Sequence, residues 1–287
     1  MKRIAVTGGN GKAGRACVAD LLDHGYEVLV LDRVAPTYRD RWYPSILVDL
    51  TDYGQTIDAL SGGDGARSVD AVVHLAAIPA PRLHPNAHTF RNNTLSDYHV
   101  FEAARRLGIK NIVWASSETV LGLPFDTPPP YVPVDEEYAP RPESAYSLSK
   151  ALTETMAQQF CRWDPEMKII GLRFSNIMEP GDYARFPEYN DHPEWRKWNL
   201  WGYIDARDAA QAIRKGLEAP IKGAEVFIIA NADTVLDRPN AELLAEFFPD
   251  VPAKREFGPN ETLLSIEKAK RLLGYEPVHS WRNRSGE

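Results

Sequence analysis

A tyrosine and a lysine four positions apart could carry out proton transfer in this chain. On a helix, Tyr146 and Lys150 would project from one face. A phenol with a pKa of about 10 is a poor base at neutral pH, and a neighbouring ammonium group lowers that pKa. Tyr146 could then take a proton from a substrate hydroxyl, and Ser117 could hydrogen-bond the same oxygen. These three residues form the predicted catalytic set, although the Tyr–Lys spacing by itself also occurs by chance on helices.

A glycine-rich turn near the N-terminus could hold a phosphate group. Residues 7–14 read Thr-Gly-Gly-Asn-Gly-Lys-Ala-Gly, between a predicted strand and a predicted helix. Glycines let the backbone turn tightly and approach a pyrophosphate, and the helix N-terminus supplies N–H groups. Such a turn can also join a strand to a helix without any ligand. We predict dinucleotide binding by Gly8, Gly11, Lys12, Ala13 and Gly14.

An acidic residue ends the second predicted strand, where the ribose of a bound dinucleotide would lie. Asp32 follows Gly14 by 18 residues, close to the expected distance of about 20. Its carboxylate could accept both ribose hydroxyls of NAD and would repel the 2′-phosphate of NADP. Arg33 and Lys12 instead favour NADP, because a cation here could bind that phosphate. The sequence therefore favours NAD and keeps NADP as the alternative.

Composition and charge exclude several classes of protein. The chain has 287 residues, 44% hydrophobic and 25% charged, which is typical of a globular protein and excludes a wholly disordered chain. With 33 basic and 40 acidic residues the formal charge is −7, which argues against nucleic acid or an anionic membrane as partner.

Cysteine usage and hydropathy predict the compartment. Cys17 and Cys161 are the only cysteines, and we expect both to be reduced thiols. The histidines lack metal-ligand spacing, so no metal is expected. No run of the sequence is apolar for long enough to resemble a secretory signal or a membrane span. A soluble cytoplasmic protein is the expectation.

The predicted elements alternate short apolar strands with helices. The predicted strands are Ile4–Thr7, Glu27–Leu31, Ile46–Val48, Ala71–Leu75, Asn111–Ala115, Lys168–Leu172 and Val226–Ala230. The predicted helices are Lys12–His24, Thr94–Leu107, Ser149–Phe160, Tyr203–Glu218, Glu242–Phe248 and Ser265–Leu273. Strands that are apolar throughout and separated by helices predict a parallel sheet covered on both faces. The predicted fold is therefore α/β, a doubly wound sheet of the Rossmann type.

Two units are expected within this fold. Residues 1–172 and about 203–235 are predicted to form the dinucleotide-binding domain, and about 173–202 with 236–287 a small substrate-binding subdomain. The proline-rich segment 127–133 predicts a stiff, extended surface loop that could serve as a lid. Three tryptophans at 195, 198 and 201 predict either a wall against a sugar ring or a packed subdomain or subunit contact.

Further motifs resemble those of a known family. His-Leu-Ala-Ala follows the fourth predicted strand, and a Ser-Ser-x-x-Val-x-Gly segment follows the fifth, with Leu121 where the family pattern has tyrosine. The other matching segments are Thr7–Gly14, Asp49–Leu50, Asn92–Asn93, Pro133–Glu136, Tyr146–Lys150, Leu172–Asn176 and Ser265–Pro277. In this order and spacing they resemble the extended short-chain dehydrogenases/reductases of the NAD-dependent epimerase/dehydratase family. The resemblance covers residues 1 to about 281.

The resemblance implies a larger set of site residues. It assigns cofactor contacts to Asp49, Leu50, Leu75, Ala76, Ala77, Asn92, Asn93, Ala115, Ser116, Tyr146, Lys150, Phe174 and Ser175. It assigns substrate contacts to Pro79, Ser117, Glu118, Thr119 and Asn176. It also implies a homodimer through the helices predicted at 94–107 and 149–160.

Dehydration is disfavoured by one departure from the family pattern. The family's 4,6-dehydratases carry Thr-Asp-Glu where this chain has Ser117, Glu118 and Thr119. Thr119 cannot do the proton transfer of that glutamate. Glu118 could touch substrate, but a solvated surface acid is the favoured interpretation.

Three functions remain open. Only 32 residues separate Arg173 from Asp205, and the Arg-Asp-Phe segment typical of nucleotide-sugar epimerases is replaced by Leu200-Trp201-Gly202. This shortened pattern resembles uronate and aldose dehydrogenases. It favours hydride transfer between NAD and a secondary alcohol or hemiacetal carbon of a small sugar or sugar acid. A nucleotide-sugar 4-epimerase resembling UDP-glucose 4-epimerase is the alternative. A non-catalytic NAD(P)-binding sensor is disfavoured, because the catalytic set is complete.

Overall fold

A parallel sheet forms the centre of the computed structural model, which describes residues 2–36, 41–62 and 68–283. Its strands are β1 (Arg3–Thr7), β2 (Glu27–Asp32), β3 (Ser45–Leu47), β4 (Ala71–His74), β5 (Asn111–Ser117) and β6 (Lys168–Phe174), with β9 (Gly223–Ile229) at one edge. In the described chain the strand order is β3-β2-β1-β4-β5-β6-β9, and each neighbouring pair is parallel. A separate parallel pair consists of β7 (Ile177–Met178) and β8 (Ile204–Asp205). The predicted doubly wound α/β fold is confirmed.

Helices cover both faces of the sheet. They are α1 (Lys12–Asp23), α2 (Tyr53–Ser61), α3 (Asn86–Arg106), α4 (Ala145–Trp163), α5 (Phe186–Asp191), α6 (Ala206–Glu218), α7 (Asn240–Phe247) and α8 (Glu267–Leu273). Helices α1 and α6 pack together on one face, and α2, α3 and α4 pack in sequence on the other.

The strand side chains divide between two apolar clusters. On β1, Ile4 and Val6 join the cluster beneath α1 and α6, whereas Ala5 joins the cluster beneath α3 and α4. On β2, Val28 and Leu29 alternate in the same way. Because both faces are buried, the inner positions of these strands are all apolar, and this explains the continuous hydrophobic runs in the sequence.

Capping residues set the helix boundaries that the sequence pattern misplaced. Helix α4 begins four residues earlier than predicted, because Ser144 and Ser147 form reciprocal cap hydrogen bonds. Tyr146 consequently lies in the first turn of α4. Helix α6 begins later than predicted, because the Asp205 side chain accepts the Arg207 N–H and caps it. Helix α2 was not predicted, although its Asp52 cap is a local signal.

The region between β6 and α6 is a series of short elements. It contains β7, α5, β8 and 3₁₀ turns at Pro180–Arg185, Pro193–Trp195 and Lys197–Asn199. Its buried side chains, such as Trp201, belong to the same apolar cluster as Leu172 on β6 and Trp281 near the C-terminus. The division into two units therefore stays a prediction.

Both cysteines are buried and free. Within the described ranges, none of the helices is both long and apolar enough to span a membrane.

Candidate active site

A cavity of about 1140 Å³ opens at the carboxyl edge of the sheet, where β1 lies between β2 and β4. The chain reverses its direction of strand addition at this point, and open α/β sheets bind ligands in the crevice so formed. Every predicted site residue except Asn93 lines this cavity. The structure therefore brings together residues between positions 8 and 176.

Asn93 lies behind the cavity wall. Its side chain is fully buried, donates a hydrogen bond to the Ile78 carbonyl (3.1 Å) and accepts one from the Ile78 N–H (2.9 Å). Ile78 itself lines the cavity. Asn93 fixes the loop that follows β4, and its expected cofactor contact stays a prediction.

The glycine turn leaves no room for side chains. Gly8 has φ +67°, and a Cβ there would lie 2.7 Å from the Ala76 nitrogen. A Cβ on Gly14 would lie 2.2 Å from the Gly8 carbonyl oxygen. Helix α1 starts at Lys12, and the first N–H groups of a helix lack partners within it. The bare backbone and these N–H groups fit the pyrophosphate of a dinucleotide.

The groups around Asp32 favour a free ribose over a phosphorylated one. The Asp32 carboxylate accepts hydrogen bonds from the Asn10 N–H (3.0 Å) and the Val34 N–H (3.2 Å), which hold it at the cavity edge. Arg33 lies 3.9 Å from Asp49 Oδ2. Hydrogen bonds from Thr51, with a smaller contribution from Arg33, lower the pKa of Asp49.

Lys12 is the other cation that could bind a 2′-phosphate. Its Nζ forms an ion pair with Asp182 Oδ2 at 2.5 Å. Each of the two cations that would favour NADP therefore lies close to a carboxylate of the protein.

Ser117, Tyr146 and Lys150 all line the cavity. Ser117 ends β5, and its Oγ accepts hydrogen bonds from the N–H (3.2 Å) and hydroxyl (3.0 Å) of Thr119. Tyr146 and Lys150 are 7% and 2% exposed on α4. Burial raises the pKa of Tyr146 to about 12, against the opposing effect of a hydrogen bond with Ser117. In the protein alone, burial thus outweighs the lowering that the sequence predicted.

Lys150 is a buried amine beside an aromatic ring. Its Nζ lies 5.4 Å from the centroid of the Trp114 ring. Burial lowers the pKa of Lys150, and the carboxylate of Asp97 opposes that effect. No local sequence motif marks Asp97.

Glu118 is buried, so the surface interpretation was wrong. The side chain is 3% exposed; its Oε2 accepts the Ser175 hydroxyl (2.6 Å) and its Oε1 the Asn199 side-chain amide (3.2 Å). Burial raises the pKa of Glu118 to about 7. A carboxyl group that is partly neutral at physiological pH therefore lies on the substrate side of the cavity.

We expect Glu118 to make stability depend on pH. Its folded pKa of about 7 exceeds the ordinary value of 4.5, so the folded state binds the proton more tightly. Stability is then undiminished below pH 4.5 and falls as pH rises to 7, by up to about 3 kcal/mol. Urea unfolding of wild type and of Glu118→Gln at pH 5 and pH 8 tests this expectation. The difference between the two proteins should change with pH by this amount, and a constant difference would contradict it.

The three clustered tryptophans have different roles. Trp198 lines the cavity. Trp201 is fully buried and packs on Phe247 and Phe248, with ring centroids 5.8 and 6.0 Å away. Trp195 is 48% exposed. Trp201 is therefore a packed core residue, whereas a wall against a sugar ring, for which only Trp198 is placed, stays a prediction.

Several lining residues were not predicted. They come from the loop after β4, the loop after β5 and the start of α4, and they are Ile78, Ala80, Pro81, Arg82, Leu123, Pro124, Glu143 and Ser144. Their sequence carries no motif that would have marked them. Among the described residues, no three His, Cys, Asp or Glu side chains are grouped in a way that could hold a metal ion.

A profile of the NAD dependent epimerase/dehydratase family matches residues 4–230, most of the chain. The chain belongs to this family. Membership agrees with the glycine turn, the ribose acid and the sheet order, and NAD is the cofactor for which the family is named.

Curated relatives of this family member include UDP-glucose 4-epimerase of Bacillus subtilis (strain 168), 28% identical over 315 positions that cover 95% of the chain and 91% of the relative. Because that alignment is longer than the chain, the relative has segments with no counterpart here. UDP-glucose 4-epimerase 3 of Oryza sativa subsp. japonica is 28% identical over 70% of the chain but only 55% of its own length. The chain thus spans about half of some of its relatives.

Solved structures of other family members share the fold. A UDP-glucose 4-epimerase of Thermotoga maritima, solved with UDP-glucose, has a TM-score of 0.72 at 24% identity and covers 97% of the chain and 94% of its own. A mutated uronate dehydrogenase has a TM-score of 0.69 at 23% identity, covering 100% and 87%. At these identities the likeness supports the fold alone.

Proposed function

We propose that the protein is an NAD-dependent oxidoreductase that oxidises a small sugar or sugar acid. NAD, when bound in the cavity, accepts the hydride from the substrate carbon. The chain's own residues bind the substrate, orient it and move the proton. The glycine turn and Asp32 hold the two halves of the adenosine diphosphate portion of the cofactor.

Tyr146 is the proposed acid/base residue. It takes the proton of the substrate hydroxyl during oxidation and returns it in the reverse direction. Ser117 orients the same hydroxyl, and its hydrogen bond favours the phenolate form of Tyr146. The role proposed for Lys150, four residues further along α4, is to supply a positive charge that favours the same form and to bind the nicotinamide ribose.

The placement of basic side chains between residues 173 and 205 carries the proposal of a small substrate. Arg196 is buried and donates hydrogen bonds to the Asn176 side chain (2.9 Å) and the Gly202 carbonyl (2.7 Å). Arg185 lies over an aromatic ring of α5. Throughout this fully described segment, no basic residue lines the cavity. A nucleoside diphosphate needs cations near its phosphates, and this segment directs its cations elsewhere.

The substrate wall suits a polyhydroxylated molecule. Buried Glu118 and half-buried Asn176 offer polar atoms, and Trp198 offers an aromatic face. Carboxyl and amide groups hydrogen-bond hydroxyls, and an indole packs on the apolar face of a sugar ring. Glu143 at the start of α4 adds a second acid to this side of the cavity.

A nucleotide-sugar 4-epimerase is the second candidate. The observation in its favour is the match to UDP-glucose 4-epimerases along nearly the whole chain. An epimerase would bind UDP strongly and would produce no net NADH, whereas a dehydrogenase would do the reverse.

Calorimetric titration of the NAD-loaded protein with UDP and UDP-glucose separates the two candidates. We expect no binding at micromolar concentrations, because segment 173–205 places no basic side chain in the cavity. In parallel, free aldoses and uronic acids are screened for NADH formation by absorbance near 340 nm, with Tyr146→Phe as control. Micromolar UDP binding would reject the small-sugar proposal in favour of the epimerase. A failed screen together with weak UDP binding would favour the sensor.

We also propose a homodimer formed through α3 and α4. Tyr98, Leu148, Leu152 and Trp163 on these helices are 41–53% exposed. Large apolar side chains of this kind are typical of a covered surface. Sedimentation equilibrium of the wild-type protein measures the association directly.

A further inference from the structure

A buried arginine lies behind the substrate wall. Arg196 is buried and does not itself line the cavity. Its guanidinium carbon Cζ lies 5.3 Å from the ring centroid of Tyr189 on α5 and 5.2 Å from that of Trp198. The cation therefore lies over two aromatic rings, and one of them belongs to a residue that lines the cavity.

Arg196 also fixes the orientation of a second cavity residue, Asn176. Its Nη1 donates a hydrogen bond to Asn176 Oδ1 (2.9 Å). A guanidinium has N–H donors and no acceptor, so the oxygen of the amide must face it, and the amide nitrogen is left for other partners. Within the part of the chain that the structure describes, Asn176 Nδ2 makes no hydrogen bond, and it is not fully buried. Asn176 therefore offers a substrate the donor end of its amide.

The loop that follows Arg196 depends on the same side chain. Arg196 Nη2 donates a hydrogen bond to the Gly202 carbonyl (2.7 Å), and the Arg196 carbonyl accepts one from the Trp201 N–H (3.0 Å). Leu200 and Trp201 have φ +54° and +58°, a backbone conformation that residues with a Cβ rarely adopt. Arg196 thus stabilises a loop conformation that the loop's own residues disfavour.

A further hydrogen-bonded link reaches the acid of the substrate wall. Asn199 Nδ2 donates hydrogen bonds to the Gly202 carbonyl (2.9 Å) and to Glu118 Oε1 (3.2 Å). The Gly202 carbonyl thereby joins Asn199 to the Arg196 guanidinium. Directly or through this link, Arg196 is connected to all three residues named for the substrate wall, which are Glu118, Asn176 and Trp198.

We propose that Arg196 is a positioning residue that sets substrate specificity by holding Asn176 and Trp198 in the substrate wall. In this arrangement Asn176 donates a hydrogen bond to an oxygen of the bound sugar, and Trp198 packs on the sugar ring. The binding of a sugar rests on the proposed function, whereas the order of the wall does not. Because Arg196 does not line the cavity, its loss should weaken substrate binding and leave proton transfer at Tyr146 unchanged.

The first experiment measures the order of the Asn176 amide in the NAD-loaded protein, without any substrate. Nitrogen-15 labelling gives its Nδ2 resonance, which Asn176→Asp assigns by removing it. In wild type we expect an order parameter close to the rigid-backbone value of about 0.85. Arg196→Met keeps the apolar stem and removes the donors, so the order parameter should fall below about 0.6.

Arg185→Met is the matched control for this measurement. Arg185 is exposed, its Cζ lies 6.0 Å from the centroid of the same Tyr189 ring, and it lies outside the cavity lining. The variant removes a cation from that ring and should leave the Asn176 amide as ordered as in wild type. An ordered amide in Arg196→Met, or an equal loss of order in both variants, would overturn the proposal.

The second experiment measures NADH formation from glucose, galactose, glucuronate and galacturonate. For each sugar that is oxidised, Arg196→Met should raise KM at least about tenfold, the effect of one lost hydrogen bond, and change kcat less than about threefold. Arg185→Met should leave both constants unchanged, and neither variant should alter the dissociation constant of NAD. A fall in kcat with an unchanged KM in Arg196→Met contradicts the proposed role.

Asn176→Asp tests the same contact in case Arg196→Met does not fold. It keeps the shape and the oxygen that faces Arg196 but replaces the donor nitrogen with an oxygen. KM should again rise at least about tenfold, and an unchanged KM would exclude the assigned hydrogen bond. A mobile Asn176 amide in wild type would reject the proposal whatever the variants do. Loss of amide order in Arg196→Met without oxidation of any of the four sugars would reject the proposed function and leave the positioning role intact.

Discussion

Tyr146→Phe should reduce turnover about 1000-fold while leaving the fold and NAD binding unchanged. The substitution removes one hydroxyl, so the 7% exposed ring keeps its packing on α4. Without the hydroxyl no group in the cavity can take the substrate proton at the same position, and general acid–base catalysis contributes about 100- to 10,000-fold. Steady-state kcat, NAD binding by calorimetry and the thermal midpoint are the three measurements.

Tyr98→Phe provides the matched control for this prediction. Tyr98 is a 42% exposed tyrosine on the neighbouring helix α3, so loss of its hydroxyl should leave kcat unchanged. Wild-type turnover in Tyr146→Phe would remove Tyr146 from the acid/base role. Loss of NAD binding in that variant would instead indicate a structural role.

Asp32→Ala should weaken NAD binding about tenfold or more and weaken NADP binding much less. Its carboxylate is held at the cavity edge by the Asn10 and Val34 N–H groups. Hydrogen bonds from ribose hydroxyls to a charged acceptor contribute about 1.5–3 kcal/mol, and the same charge repels a 2′-phosphate. Removing it therefore costs NAD affinity and relieves repulsion toward NADP. Calorimetric dissociation constants for both cofactors measure the change in preference.

Asp58→Ala controls for the loss of one negative charge near the cofactor domain. Asp58 is exposed on α2 and lies outside the cavity lining. It should leave both affinities unchanged. Equal weakening of NAD and NADP in Asp32→Ala would exclude the assigned ribose contact. A wild-type preference for NADP would mean that Arg33 or Lys12 dominates despite the carboxylates they face.

The sequence by itself determined the fold and the cofactor end of the site. A strand buried on both faces is apolar at its inner positions, so β1, β2 and β4 were recognisable as continuous hydrophobic runs. The glycine turn was equally recognisable. Gly8 and Gly14 lie so close to neighbouring backbone atoms that a Cβ would not fit at either position. Such constraints act between neighbours in the sequence or through a fixed periodicity.

Helix boundaries were predicted less well, for a local reason. Periodicity marks the middle of a helix, where side chains face the core, whereas the ends depend on a single capping residue. The Ser144 cap moved the start of α4 and placed Tyr146 in its first turn. The catalytic tyrosine was found by motif, but its position on the helix was not.

Only the tertiary structure decided the electrostatics of the site. Glu118 accepts hydrogen bonds from Ser175 and Asn199, which are 57 and 81 residues away in the chain. Asp97 meets His74 and Thr153 because β4, α3 and α4 pack together. The ionisation of a group depends on its distance to water and to other charges, and no local pattern encodes those distances. The sequence therefore identified which residues could do chemistry, and the packing of distant elements determined their burial and charge.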